Sequence, residues 1–475
     1  MATRRFVGPR RHAGTGTPRS VTRVAAAGVA AVLTVALAQG PASATIPAPG
    51  PGGTAVNPDP SPAPGLEPGA GLTPSGPPIA PVGATGIDAA KLRATMDATH
   101  EAGMYGLFSA VRDGDLRWNG ASGAADVRTG RPMRTGMRQR VGSITKTFVA
   151  TAILQQVEKG RVQLDGPIGR YLPDLFPGQR GQQITVRMLL NHTSGIGDYV
   201  LYAFPSLSDP SSRSLDRYRF RDLPPEQMVK WGLQAPPTGD PGERWSYSNT
   251  NYVVAGLLLE KVTGTKAQTY IAKNVIRKAG LKHTYFPSSP HIDGAHPRMY
   301  ESLYQHINPP RDYSTYNMSW AWTAGALVST MDDLNRFYRT LLTGGLLERA
   351  SLAEMEHTVP AKDADGNVLM NYGLGIYSLD LPCGTFWGHD GSVFGAGTQS
   401  LSSSDGKQQI SLGFNLMKYQ RLTADGTPIP HPIDSALYAH VAQALCGARA
   451  ASPSPSGEPS THSQPLPLQF FRAGP

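Results

Sequence analysis

The hydrophobic period of this chain changes near its two ends, and that pattern restricts the fold more than any other feature. Residues 106–112 and 116–122 alternate apolar and polar around Asp113-Gly114, as the arms of a hairpin do. From Tyr372 onward the alternation returns in GLGIYSLDL, TFWGHDG, AGTQSLSS and, after Asp405-Gly406, KQQISLGFNLM. Residues 88–102 and 433–445 read as helices, and a long stretch of helices and loops lies between. If strands from both ends meet in one antiparallel sheet, the middle must fold as a second lobe. The expected class is therefore α/β in the α+β sense. It combines a sheet built from both chain ends, flanking helices and a mostly helical second lobe, with the cleft between lobes as the default site.

Composition sets the limits of that unit. Glycine (53) and proline (42) make up a fifth of the 475 residues, and residues 46–86 alone hold 12 prolines and 9 glycines. Such a stretch has too little apolar surface to order itself, so 45–86 reads as a disordered linker. Residues 448–475 (SPSPSGEPSTHSQPLP and its flanks) read as a solvated tail. One unit, 87–447, remains, with no internal repeat.

The first 44 residues carry six arginines and no acid, then an apolar run at 24–38, then Ala42-Ser43-Ala44 before Thr45. That is the layout of a cleaved secretory signal; an uncleaved membrane anchor is the other reading. The Arg4-Arg5 pair raises twin-arginine export as a route. Without this leader the net charge of +9 falls to about +3, too little and too scattered to argue for nucleic acid. No later apolar run is long enough for a membrane span. In an oxidising compartment the two cysteines, Cys383 and Cys446, are expected to form one disulfide; two buried thiols are the alternative.

Three motifs carry chemistry. Ser143-Ile144-Thr145-Lys146 opens a helical run whose apolar face holds Ile144, Phe148, Ala152, Ile153 and Val157, with Lys159-Gly160 as its stop. Ser143 and Lys146 lie one turn apart on one face, where an amine can take the serine proton and the helix start favours a developing anion. An N-cap serine beside a surface lysine would read the same way. Tyr247-Ser248-Asn249 precedes a helix beginning near Asn251. A lysine neighbour would favour the phenolate of Tyr247 as a proton relay, and Asn249 would orient a substrate amide. A loop tyrosine is the plain alternative. His389-Asp390-Gly391-Ser392 falls on a predicted strand. His389 would bring a donor or cation over the cleft, Gly391 a close backbone approach by substrate, and the Ser392 N–H an oxyanion contact. A lone strand histidine is more often structural. The chain has no phosphate-binding glycine loop, HExxH or G-x-S-x-G.

Taken in the order Ser-x-x-Lys, Tyr-x-Asn, His-x-Gly, these motifs resemble the serine β-lactamase and penicillin-binding protein superfamily. The nearest likeness is to soluble, secreted D-Ala-D-Ala carboxypeptidases that share the class C β-lactamase fold. ITVRMLLNHTSGI (184–196), WSYSNTNYVVAGLLLEKVTG (245–264), SWAWTAGALVST (319–330), YGLGI (372–376) and the cysteine pair extend the likeness over all of 87–447. The resemblance implies Ser143 as the acylated nucleophile, Lys146 and Tyr247 as the proton-transfer pair, and Asn249 on the substrate amide. It puts His389 where many relatives have lysine, and makes the N–H groups of Ser143 and Ser392 an oxyanion hole. Trp320 matches a cleft-lining tryptophan, with plain core packing equally open. No metal or organic cofactor is implied. The expected partners are small peptides ending in D-amino acids and β-lactams as acylating inhibitors, and the chain is expected to work as a monomer.

One departure bears on the substrate. Such carboxypeptidases usually follow the histidine with a hydroxyl residue that helps hold the substrate's terminal carboxylate, whereas this chain has Asp390. Either Asp390 points away or pairs with His389 or an arginine, or the substrate carries no free carboxylate there. The expectation is a D-Ala-D-Ala carboxypeptidase. The alternatives are a D-stereospecific peptidase or amidase, an esterase, a true β-lactamase, or a penicillin-binding protein with little turnover. Segments 198–225 and 296–318, rich in Tyr, Arg and Pro, would roof the cleft or form surface insertions, and His192 reads as a structural hydrogen-bonding residue.

Overall fold

The computed structural model describes residues 86–362, 366–424 and 426–447. The leader, the greater part of the Pro/Gly-rich linker and the C-terminal tail lie outside these residues.

A nine-stranded antiparallel sheet forms from the two ends of the unit. Its strands are β1 (Gly106–Asp113), β2 (Leu116–Asp126), β3 (Arg131–Pro132), β4 (Val359–Lys362), β5 (Val368–Tyr372), β6 (Tyr377–Leu381), β7 (Gly384–Val393), β8 (Ala396–Ser403) and β9 (Gln408–Phe414). They lie in the order β3-β2-β1-β9-β8-β7-β6-β5-β4. The join between the ends is β1 against β9, in register from Leu107↔Phe414 to Asp113↔Gln408. Strand alternation explains why both faces of the sheet are covered. Leu107, Val111, Ile410 and Leu412 face one layer, made by α1 (Ala89–Glu101) and the last helix, α5 (Pro432–Cys446), which contribute Leu92, Met96, Leu437, Val441 and Leu445. Phe108 and Ala110 face the other, larger core.

That larger core holds the helical middle. Its two central helices are α2 (Thr145–Glu158) and α3 (Asn249–Thr263). Both are buried all round over most of their length, from Thr145 to Gln156 and from Asn249 to Leu259. A helix enclosed on every side has no solvated face to alternate with, so it shows little amphipathic pattern. α4 (Met331–Leu342) links this lobe to the sheet, and its Phe337 ring stacks on Phe148 of α2 at 3.6 Å. α3 starts at Asn249, two residues earlier than the sequence suggests, and stops at Gly264, whose φ of +63° suits glycine at a helix end.

Cys383, in the turn between β6 and β7, is bonded to Cys446 at the end of α5, with a Cα–Cα distance of 5.4 Å. Among the described residues no helix is long and apolar enough to cross a membrane.

Candidate active site

Ser143 sits in a 3-10 turn, Gly142–Ile144, that leads directly into α2. Lys146, one turn on, is fully buried, and its Nζ reaches three oxygens: Ser143 Oγ at 3.0 Å, Asn249 Oδ1 at 2.9 Å and the Ala324 carbonyl at 2.7 Å. Burial strips water from the amine and lowers its pKa from 10.5 to about 7, with Asp198 and then Asp390 pulling the other way. As a neutral amine Lys146 has two hydrogens and one lone pair. Asn249 Oδ1 and the Ala324 carbonyl are acceptors only, so they take both hydrogens. The lone pair is left facing the Ser143 hydroxyl.

Tyr247 shares a hydrogen bond with Ser143, and its ring lies over Lys146, with Nζ 4.8 Å from the ring centre. Its ionisation runs opposite to the sequence expectation. Burial raises the phenol well above 10 and outweighs the bond from Ser143 that lowers it. Tyr247 is therefore a protonated donor rather than a phenolate. His192 packs beneath it, ring to ring at 4.3 Å, and Nδ1 of His192 accepts from the Ser248 N–H, which is the scaffold role the sequence indicated.

Asn249 differs from its expected role. Its Oδ1 is taken by Lys146, and one N–H of Nδ2 goes to Asp198 Oδ2 at 2.8 Å, so the amide ties the lysine to a half-buried acid. Asp198 was not singled out from sequence. It lies about fifty residues before Asn249 in the chain, and no spacing rule connects the two.

The strand β7 closes the far side of the site. Its register with β6 ends at Tyr377↔Gly388, so the outer edge of 389–393 is free of a strand neighbour and meets the Ser143 turn instead. The glycines make that contact possible. A Cβ on Gly391 would lie 1.9 Å from the Val141 carbonyl oxygen, and one on Gly142, whose φ is +53°, would lie 2.7 Å from the Ser392 nitrogen. Gly391 thus admits the chain's own nucleophile turn, where the sequence reading had substrate. The Ser392 nitrogen and the Ser143 nitrogen lie on facing sides of this contact.

His389 is not a cation over the cleft. It is completely buried, its Nδ1 bonds its neighbour's main-chain oxygen at 2.5 Å, and its Nε2 lies 2.9 Å from the Tyr372 hydroxyl. Burial, then the Lys146 charge, pushes its pKa down to about 3, so the ring is neutral. Asp390 is also buried. It stands 3.7 Å from His389 Nδ1, and its Oδ1 accepts no hydrogen bond. Burial raises its pKa to about 7 against the pull of its own main chain and of Lys146. Among the described residues no arginine pairs with it. Ser392 is buried, and its Oγ meets no partner among the described residues. Trp320 is packed into core, edge-on to Phe204 at 5.5 Å and tilted on Phe394 at 5.2 Å. Segments 198–225 and 296–318 adjoin one another, the Asn317 N–H donating to the Arg219 carbonyl.

The family model described as Beta-lactamase matches residues 89–412, and the chain belongs to that family. Among solved structures, the D-stereospecific amidohydrolase from a Streptomyces species superposes with a TM-score of 0.66 at 34% identity, covering 76% of this chain and 99% of that one. Esterase EstB of Burkholderia gladioli is 33% identical over 43% of this chain and 54% of its own. The putative penicillin-binding protein PbpX of Bacillus subtilis is 26% identical over 58% of this chain and 63% of its own. The chain thus spans between half and two thirds of those two relatives. The fold is that of the β-lactamases and DD-peptidases, and the chain is a member of that serine hydrolase superfamily.

Proposed function

We propose that the protein hydrolyses an amide or peptide bond next to a D-amino acid, through an acyl-enzyme on Ser143. The observation that carries this is the buried Lys146 Nζ, 3.0 Å from Ser143 Oγ and within reach of the acceptors Asn249 Oδ1 and Ala324 O, so that in its neutral form its hydrogens go to those two and its lone pair to Ser143. In the first half-reaction Lys146 takes the Ser143 proton as Oγ attacks the carbonyl carbon. The oxyanion is received by the Ser143 and Ser392 N–H groups. The C–N bond then breaks as the Tyr247 phenol gives its proton to the departing nitrogen, and Lys146 returns a proton to Tyr247. Water repeats the sequence on the ester.

The choice of substrate rests on β7. A D-Ala-D-Ala carboxypeptidase must hold a free carboxylate beside the strand after its histidine. Here that position offers a neutral His389, which brings no positive charge, and Asp390, which burial holds protonated up to about pH 7 and which repels a second carboxylate above it. A D-amino-acid amide or an internal peptide bond brings no such charge. The likeness to the Streptomyces D-stereospecific amidohydrolase agrees with this reading. The likeness to PbpX supports the second one, a carboxypeptidase or slow penicillin-binding protein.

The test compares kcat/KM on a D-amino-acid amide with that on an N-acylated D-Ala-D-Ala free acid. At least tenfold preference for the amide is expected, with all turnover lost in Ser143→Ala. Preference for the free acid would establish the second reading. We also propose that the protein is exported with residues 1–44 removed. The leader's layout and the Cys383–Cys446 bond support this, since such bonds persist in oxidising compartments.

A further inference from the structure

Lys146 can aim its lone pair at Ser143 only while Asn249 presents its oxygen, rather than its amino group, to Nζ. A side-chain amide is nearly symmetric in shape, so something must choose its orientation. Asp198 stands on the other side of that amide. Its Oδ2 receives both the Asn249 main-chain N–H and the Asn249 Nδ2, each at 2.8 Å, and its Oδ1 receives the Val200 N–H at 2.8 Å. Burial raises the Asp198 pKa and these three N–H bonds pull it back; in its ionised form the acid is an acceptor only. Were Asn249 flipped, its oxygen would face the Asp198 carboxylate and its amino group would face the lysine.

We propose that Asp198 is a positioning residue for the hydrolysis: by fixing the orientation of Asn249 it commits one Lys146 hydrogen and thereby turns the amine's lone pair onto Ser143. The inference rests on the serine–lysine reading given above and adds to it a residue that touches neither substrate nor nucleophile. Its local setting is rigid. Asp198 follows the buried loop 191–197, whose Gly197 carbonyl accepts from both Ser248 Oγ and Thr250 Oγ1, and it precedes Tyr199, whose hydroxyl bonds the Trp320 carbonyl. The loop is thus tied to both ends of the site, to the start of α3 and to the segment that carries Ala324.

The same acid acts on Lys146 through its charge. The groups facing Lys146 are Asp198, Asp390, His192, His389, Tyr247 and Tyr252; the two acids favour its protonated form through their charge, and the ring faces of Tyr247 and Tyr252 do so more weakly. Removing the Asp198 charge lowers the lysine's pKa, so the acid limb of the rate profile moves to lower pH even as the rate falls.

The experiment is a double-mutant cycle of Asp198→Asn and Asn249→Ala, followed by hydrolysis of a chromogenic D-amino-acid anilide from pH 5 to 9. Asp198→Asn is expected to lower kcat at least thirtyfold with KM within threefold, and to move the acid limb down by half a pH unit or more. Asn249→Ala is expected to lose as much, and the double variant no more than the worse single one, because the two side chains act as one device. Losses that multiply in the double variant, or an Asp198→Asn enzyme within threefold of wild type, would overturn the inference. Should Asp198→Asn fail to fold, Asn249→Leu decides. It removes the acceptor while leaving Asp198 in place, and an unchanged kcat there would end the proposal. Activity surviving in Ser143→Ala would instead remove the serine–lysine reading, so the two failures are distinguishable.

Discussion

Lys146 places a basic group inside a core that gives it no full counter-charge, and this has a thermodynamic signature. Its folded pKa, about 7, lies below its ordinary 10.5. Below pH 7 both folded and unfolded chains hold the proton, and the folded state bears the whole cost of a buried cation. Between pH 7 and 10.5 only the unfolded chain binds it, so stability rises with pH across that window. Wild type should therefore gain on Lys146→Met by up to about 1.4 kcal/mol per pH unit above neutrality. Urea unfolding of both proteins at pH 7, 8 and 9 measures this, and parallel curves would refute it. The same residue bounds catalysis, since kcat/KM should fall below about pH 7 as the amine becomes an ammonium. Sequence revealed which residues gather here, because Ser143 and Lys146 share a helix face and Tyr247 and Asn249 share a motif. It did not reveal their protonation. Tyr247 and His389 both reverse the expected sign, since desolvation depends on neighbours distant in the chain.

Between elements, the decisive contact is that of the Gly142–Ile144 turn with β7. The atom that meets a Cβ at Gly391 is a main-chain oxygen, and main chain cannot rotate aside as a side chain can. Gly391→Ala should force β7 away from the turn, destabilising the protein by about 1–3 kcal/mol. It should also slow acylation by a β-lactam more than tenfold. Intact mass against time gives the second figure, and unchanged acylation would show that the turn and strand can separate harmlessly. The glycine was visible in the sequence, and its need for close approach was inferred from it. The partner was not visible, because Val141 and Gly391 are brought together only by the finished sheet. α2 was legible as a helix by its apolar face and its Lys159-Gly160 stop, and α3 only by its start; that both are enclosed on all sides was not legible.

For the molecule as a whole, the change of period at both ends did foretell the architecture, and the β1–β9 register is the contact it required. The short strands β3 and β4 carried no readable alternation, being two and four residues long. The Cys383–Cys446 bond closes a loop over a sequence separation of 63 and pins α5 to the β6–β7 turn. Changing both cysteines to serine should lower the unfolding free energy by about 2–4 kcal/mol while leaving turnover at 25 °C within twofold, because the bond lies away from Ser143. Denaturant titration with and without reductant checks this. An unchanged midpoint would mean the bond adds nothing to the native state.

The pairing of β1 with β9 also fixes when the enzyme can begin to work. About three hundred residues separate Leu107 from Phe414, and a ribosome delivers the second of them long after the first. Until then β1 lacks its central neighbour and β7 has no completed sheet to hold it against the nucleophile. A nascent chain is therefore catalytically silent until Phe414 has been made, and hydrolysis switches on as a single event.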